Sequence, residues 1–170
     1  FTSLLVVLLL AITLLAPVIA PYDPLSSVMK DANQAPSAAH LFGTDKLGRD
    51  VLSRILYGAS YSLTSVIALV ACIFVVGTTM GIISGYFGGI VDIVIMRIAD
   101  MMISFPGVIL AIAIAGIMGG SLINAMIALT AVTWTKYARL SRSMVLKIKR
   151  REFVDAAVVS GGSSAHILWV

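Results

Sequence analysis

Asp92 and Asp100 are the residues of this sequence that first invite a chemical reading. They lie in an otherwise apolar stretch with Arg97 between them. Paired carboxylates inside a membrane can pass protons. Both, however, fall at the predicted cytoplasmic edge of a span, and Arg97 can neutralise one of them. Arg97 and Asp100 are neighbours three apart on a helix face, a spacing that suits an ion pair. An interfacial ion cluster is therefore the favoured reading, and an enzyme using Asp92 and Asp100 is the alternative. His40 and His166 each stand alone, without neighbours at metal-ligand spacing. Cys72 is the single cysteine, which excludes an internal disulfide and a multi-cysteine metal site. It lies in an apolar run, where a thiol behaves as a small hydrophobe. There is no HExxH, no GxSxG and no P-loop lysine motif. The expectation is a chain with no catalytic residue, no bound metal and no cofactor of its own.

The elements around these residues are those of a membrane protein. Of the 170 residues, 59% are hydrophobic and 12% charged, and the mean hydropathy is +1.04. A soluble domain is about 25% charged, so the solvent of this chain is expected to be lipid. Four stretches have the ~20 apolar residues a transmembrane helix needs: 1–20, 61–85, 93–118 and 121–140. Pro17 and Pro21 mark the exit of the first. It has no basic n-region and no cleavage site, so it reads as a span cut at its start rather than a secretory signal. Gly77, Gly81 and Gly85 repeat along one face of the second, a spacing that admits another helix at close range. Phe105-Pro106 interrupts the third, where proline frees a carbonyl and bends the helix.

The predicted organisation is a first span over 1–20, an extracytoplasmic loop and amphipathic segment over 21–60, and a core over 61–170. GYFGGIVD and MGGS are short connections. PYDPLSSVMKDANQAPSAAH reads as irregular loop, and LFGTDKLGRDVLSRILYGAS as a turn and an amphipathic helix entering the second span. Lys136, Arg139, Arg142, Lys147, Lys149, Arg150 and Arg151 cluster after the fourth span, which puts that side in the cytoplasm. Lys136, Arg139 and Arg142 can snorkel toward lipid phosphates there. Counting back places the N-terminus and the GYFGG turn inside, and the long loop outside.

Beyond the basic cluster comes REFVDAAVVSGG. Glu152 and Asp155 sit in a first helical turn, where carboxylates suit the dipole. Ala156 and Ala157 make a small, smooth face. Gly161-Gly162 ends the helix, since glycine accepts the left-handed cap. Ser163 or Ser164 can cap a second short helix starting at AHILWV. Such a helix either docks into a groove of another protein or is an ordinary amphipathic linker.

EFVDAAVVSG resembles the cytoplasmic EAA signature of ABC importer permeases, with Asp155 in place of the glutamate and Ala156, Ala157 and Gly161 matching. The chain stops just short of that motif's I-x-L-P ending, and on this comparison reads as a fragment lacking two further spans. GTDKLGRD, YFGGIVD and MRIAD, in that order, resemble the dipeptide, oligopeptide and nickel branch, in its second permease subunit type. The resemblance implies an all-α, polytopic transmembrane bundle of the type I importer class. It implies a multi-pass subunit in the bacterial inner membrane, without enzymatic activity, carrying peptides or nickel. Residues 152–161 would be a coupling helix, with Glu152, Asp155, Ala156, Ala157 and Gly161 facing a cytoplasmic ATPase. ATP would be hydrolysed by that partner. Further implied partners are a second permease subunit, a second ATPase subunit and an extracytoplasmic binding protein. A passive channel is the remaining alternative.

Overall fold

The computed structural model describes residues 2–161, and every described regular element is helical. An isolated bridge between Thr44 and Asp50 is the nearest approach to a strand among these residues. The chain divides into two compact units, Phe1–Ala68 and Leu69–Val170. They are described separately.

In the first unit the leucine-rich start forms α1 (Thr2–Leu14) and the one-turn α2 (Ala16–Ile19). The expected uninterrupted span over 1–20 is thus two pieces. The break falls at Leu15, just ahead of Pro17, which occupies the first turn of α2, where its missing N–H costs nothing. With 13 residues, α1 is about 20 Å long, against a hydrocarbon core of about 30 Å.

The long loop is irregular as predicted, with one 3₁₀ turn at Met29–Asp31. Its GTDKLGRD segment folds around Asp45. The Asp45 carboxylate accepts the backbone N–H groups of Leu47 (2.8 Å) and Arg49 (3.0 Å) and the Arg49 Nε (2.8 Å), and it pairs with Arg54. The Arg49 backbone N–H, then that of Leu47 and the Arg49 side chain, hold the Asp45 carboxyl down from 3.8 to about 2, although partial burial opposes them. A carboxylate depressed in the folded state stabilises above its unfolded pKa and loses that contribution as pH falls through its folded one. The knot is expected to hold above about pH 4 and to open between there and about pH 2. Hydrogen-exchange protection of the Leu47 and Arg49 amides, normalised for intrinsic rate, measures this. Asp45→Asn should abolish that protection at neutral pH.

α3 (Val51–Phe87) is a single helix of 37 residues, so the predicted amphipathic segment and second span are continuous. Asp50 starts it: Oδ2 accepts the Ser53 N–H at 2.7 Å, the arrangement of a helix N-cap. The boundary between the two units falls inside this helix. Cys72 is exposed on it.

The second unit continues through α4 (Gly89–Ser104), α5 (Gly107–Met118), α6 (Leu122–Ile148) and α7 (Glu152–Val159). Gly88 and Gly89, with φ of 65° and 54°, make the sharp turn from α3 to α4, in a region that L side chains with a Cβ avoid. The predicted third span is not a bent helix. It is α4 and α5, set at 95° across Phe105-Pro106. Phe105 is extended (ψ 148°), as a residue ahead of proline prefers, and this ends α4 rather than kinking it. Ser121 then caps α6 by accepting the Asn124 N–H, and Asn124 Nδ2 closes the turn onto the carbonyls of Met118 and Gly119. The helix expected over 121–140 runs on to Ile148 without a break, and by length and apolarity α6 does not meet the measure of a membrane span by itself.

Packing follows the small residues. A Cβ at Gly77 would lie 2.6 Å from the Trp134 carbonyl oxygen and 2.6 Å from Tyr137 Cβ, and one at Gly85 2.9 Å from Val145 Cβ. Gly81 faces Ala138 and Ser141 in the same way. The glycine stripe therefore admits α6, as its spacing suggests. Its rising order against rising numbers on α6 makes the two helices parallel. Trp134 and Ala138 of α6 also bury Ala99 of α4, with Ile95 and Met96 packed alongside. Gly107 of α5 lies against Val132, and Ala111 and Ala128 are buried. Among the described residues α3 is the helix long and apolar enough to cross a bilayer by itself, and α4 with α5 meets the same measure as a bent pair.

Candidate functional site

α7 covers the helix expected at 152–161 and stops two residues short of Gly161. Ser160 N–H still bonds to the Ala156 carbonyl at 3.0 Å, and Gly161 takes the left-handed φ of +81°. Glu152 and Ala156 are exposed and Ala157 is half-buried. Asp155 lies in the same helix, and its side chain falls outside what is described. Gly162, His166 and the expected second helix at AHILWV also lie outside the described residues. Two exposed apolar side chains were not singled out from the sequence: Phe153, 61% exposed, and Val159, 88% exposed. Apolarity in the EFVDAAVV run is visible in sequence, but which positions face outward is not. Val154 supplies the buried side.

The joint between α6 and α7 is three residues long and carries backbone hydrogen bonds on both sides. Lys149 N–H reaches the Val145 carbonyl, Arg151 N–H the Ile148 carbonyl, and Val154 N–H the Arg151 carbonyl, all at 2.8–2.9 Å. No glycine or proline lies between Ile148 and Glu152. α7 is thus carried directly by α6.

Asp92 and Asp100 are in ion pairs, but not with Arg97. Arg142 of α6 grips Asp92 with both arms of its guanidinium, Nε to Oδ1 and Nη2 to Oδ2, each at 2.5 Å. Ser84 of α3 donates to the same carboxylate at 2.5 Å. Arg139 pairs with Asp100 at 2.5 Å. Arg97 is exposed and takes part in neither pair. The ion cluster foreseen from sequence is therefore present with its cations supplied by α6. Arg139 and Arg142, expected to reach for phosphates, instead spend their charge on α4. Lys149 is also engaged: its Nζ donates to the Tyr86 carbonyl at 2.7 Å, at the last turn of α3. The favourable contact of a cation with a helix C-terminus explains that choice. It also puts the end of α3 beside the basic cluster.

In the first unit His40 is not isolated. Its Nδ1 lies 3.0 Å from Asp50 Oδ1, and its ring meets Tyr22 at 4.8 Å between centroids. The Ser53 backbone N–H and hydroxyl and the His40 ring together hold the Asp50 carboxyl below its usual value, against the opposing and larger single effect of burial. A pocket of about 240 Å³ opens beside Tyr22, Asp31, His40 and Asp50. Among the described residues no group of three or more His, Cys, Asp or Glu side chains is placed to hold a metal ion.

Comparison with known proteins places these features. The chain is 38% identical over 167 residues to a probable D,D-dipeptide transport system permease protein of Escherichia coli K12, covering 98% of the chain and 56% of that protein. It is 40% identical over 168 residues to a glutathione transport system permease protein of Pectobacterium atrosepticum, covering 98% of the chain and 56% of that protein. A nickel transport system permease protein of E. coli K12 is 39% identical over 147 residues, covering 86% of the chain and 53% of that protein. The chain thus spans little more than half the length of these relatives. Residues 77–170, which include the glycine stripe, the ion pairs and α7, match one family along their whole length. The chain belongs to the binding-protein-dependent transport system inner membrane components.

Proposed function

We propose that this chain is part of the permease subunit of an ATP-driven importer, forming with a second permease subunit a pathway for peptides or nickel. The family match over 77–170 carries the reading, because it contains α6 and α7 together. The relatives' names, which cover dipeptides, glutathione and nickel, support the substrate range. An external binding protein would select among them, so no substrate-specific cluster is needed in the spans. The chain would cross the inner membrane four times, with α4 and α5 as one broken crossing and the N-terminus inside. The parallel run of α3 and α6 supports this, since it requires one return crossing between them.

In this reading α7 is the coupling helix. Glu152, Asp155, Ala156, Ala157 and Gly161 would lie in a cleft of one of two cytoplasmic ATPase subunits, with Phe153 and Val159 as apolar anchors. ATP would be hydrolysed there, and this chain would need no cofactor. Each of Asp92 and Asp100 is neutralised by an arginine, which argues against proton chemistry between them.

The test is uptake of labelled dipeptide or nickel by membrane vesicles holding the full-length protein, co-expressed with its genomic neighbours. Accumulation is expected only with binding protein and ATP, together with co-purification of an ATPase. Uptake without ATP would identify a passive channel. An Asp92→Asn variant that abolishes activity in the absence of any ATPase would identify an enzyme.

A further inference from the structure

The Asp92 carboxylate is shared by three helices: it belongs to α4, accepts the Ser84 hydroxyl of α3, and receives both arms of Arg142 of α6. The Ser84 side chain is fully buried, and Asp92 is 19% exposed. The glycine stripe already seats α6 on α3 at backbone distance on the same stretch, with Gly85 against Arg142 and Val145. Lys149, one turn before α7, ties α6 to the end of α3 a second time. The short joint from there to α7 carries backbone hydrogen bonds from the Lys149 and Arg151 N–H groups.

These contacts resist different motions. The glycine stripe holds α6 against α3 at backbone distance, and Trp134 and Ala138 hold it on Ala99 of α4, but such apolar contacts are less directional than paired hydrogen bonds and resist rotation of α6 about its own axis less. A guanidinium bound to a carboxylate through two parallel bonds fixes orientation as well as distance. A lysine at the same place would keep the charge and lose the orientation. The second pair, Arg139 with Asp100, is about half exposed on both sides and joins only two helices, so it is worth little.

We infer that Asp92, held by Ser84 and Arg142, is a positioning residue that locks α6 against rotation, so that displacement of α7 moves α3, α4 and α6 as one body. The inference rests on reading α7 as the coupling helix. Without the lock, α7 can still engage its partner and the partner can still hydrolyse ATP. The stroke is then spent in turning α6 within its glycine bed. Asp92 touches no substrate in this account, and acts through Arg142.

The experiment measures substrate imported per ATP hydrolysed, in proteoliposomes of the complete complex, alongside the amount of ATPase retained on purification. Asp92→Asn and Arg142→Lys are compared with Arg139→Lys and with wild type. Arg142→Lys keeps the charge balance and guards against simple failure to fold. The expected result is full ATPase retention and near-normal hydrolysis, with transport per ATP lowered about tenfold by Asp92→Asn, about fivefold by Arg142→Lys and hardly at all by Arg139→Lys. Such losses fall within the usual range of coupling between sites. Import and hydrolysis falling in step with the yield of complex would show a merely structural role and overturn the inference. Unchanged transport per ATP in both variants would overturn it too. If wild type retains no ATPase, the coupling reading itself fails, and this inference falls with it.

Discussion

Gly81→Leu is expected to leave little folded protein, and to lower the thermal midpoint of what remains in detergent by about 6–12 °C. The new Cβ would run into the Ala138 carbonyl oxygen and lie 2.7 Å from Ser141 Cβ. Backbone cannot step aside as the end of a flexible side chain can, so α6 must lift off α3. Overpacking usually costs about 1–3 kcal/mol, and backbone contact on both sides puts this case at the top of that range. Lifting α6 would also draw Arg142 from Asp92 and Lys149 from Tyr86, which adds to the loss. Gly58→Ala is the control on the same helix. A Cβ at Gly58 meets nothing within 4 Å, so that change should be neutral or stabilise by up to about 1 kcal/mol through helix propensity. Equal midpoints for Gly81→Leu and wild type would mean that the two helices are not packed through the glycine stripe.

The second large effect is expected at α7. Ala157→Arg should reduce co-purification of the ATPase to background and abolish ATP-dependent uptake. A small helical face docks because a groove can close around it, and an arginine there adds six heavy atoms beyond Cβ and a charge to be desolvated. Disrupting a central contact of this kind commonly costs about 2–4 kcal/mol, which is about 30- to 1000-fold in affinity. Ala157 is half-buried against its own chain, so loss of binding could follow from local unfolding. Phe153→Ala separates the two causes. Phe153 is mostly exposed, so its truncation should cost the fold little. It should also weaken ATPase retention, by about tenfold or more if it is an anchor, with the thermal midpoint unchanged. Retention of the ATPase by both variants would exclude α7 as the docking helix.

Helix period, hydropathy and glycine spacing were sufficient to locate much of this fold. The second apolar stretch is a helix because its residues are apolar for longer than a bilayer is thick. The stripe at Gly77, Gly81 and Gly85 contacts α6 because no side chain stands in the way. α7 begins at Glu152, and Gly161 turns left-handed, because those preferences are local. The family resemblance was legible for the same reason, being carried by short motifs in order.

What the tertiary structure decided is pairing across long stretches of chain. Arg97 is three residues from Asp100 and was the natural partner by spacing, yet the cations come from α6, 50 residues from Asp92 and 39 from Asp100. Spacing along one helix cannot say which face a later helix will cover, and packing on Ala99 and Trp134 turns the α6 arginines toward α4. His40 likewise finds Asp50 and Tyr22 only once the loop has folded back on itself. Phe105-Pro106 announced an interruption, but not its size. The proline removes one donor and restricts one neighbour, and those local facts fit a mild kink as well as a 95° break. The angle is set by where α5 lies against α6, with Gly107 on Val132 and small residues between the helices. Local preferences are written into neighbouring residues, whereas the choice among compatible partners is made by the close packing of the whole unit.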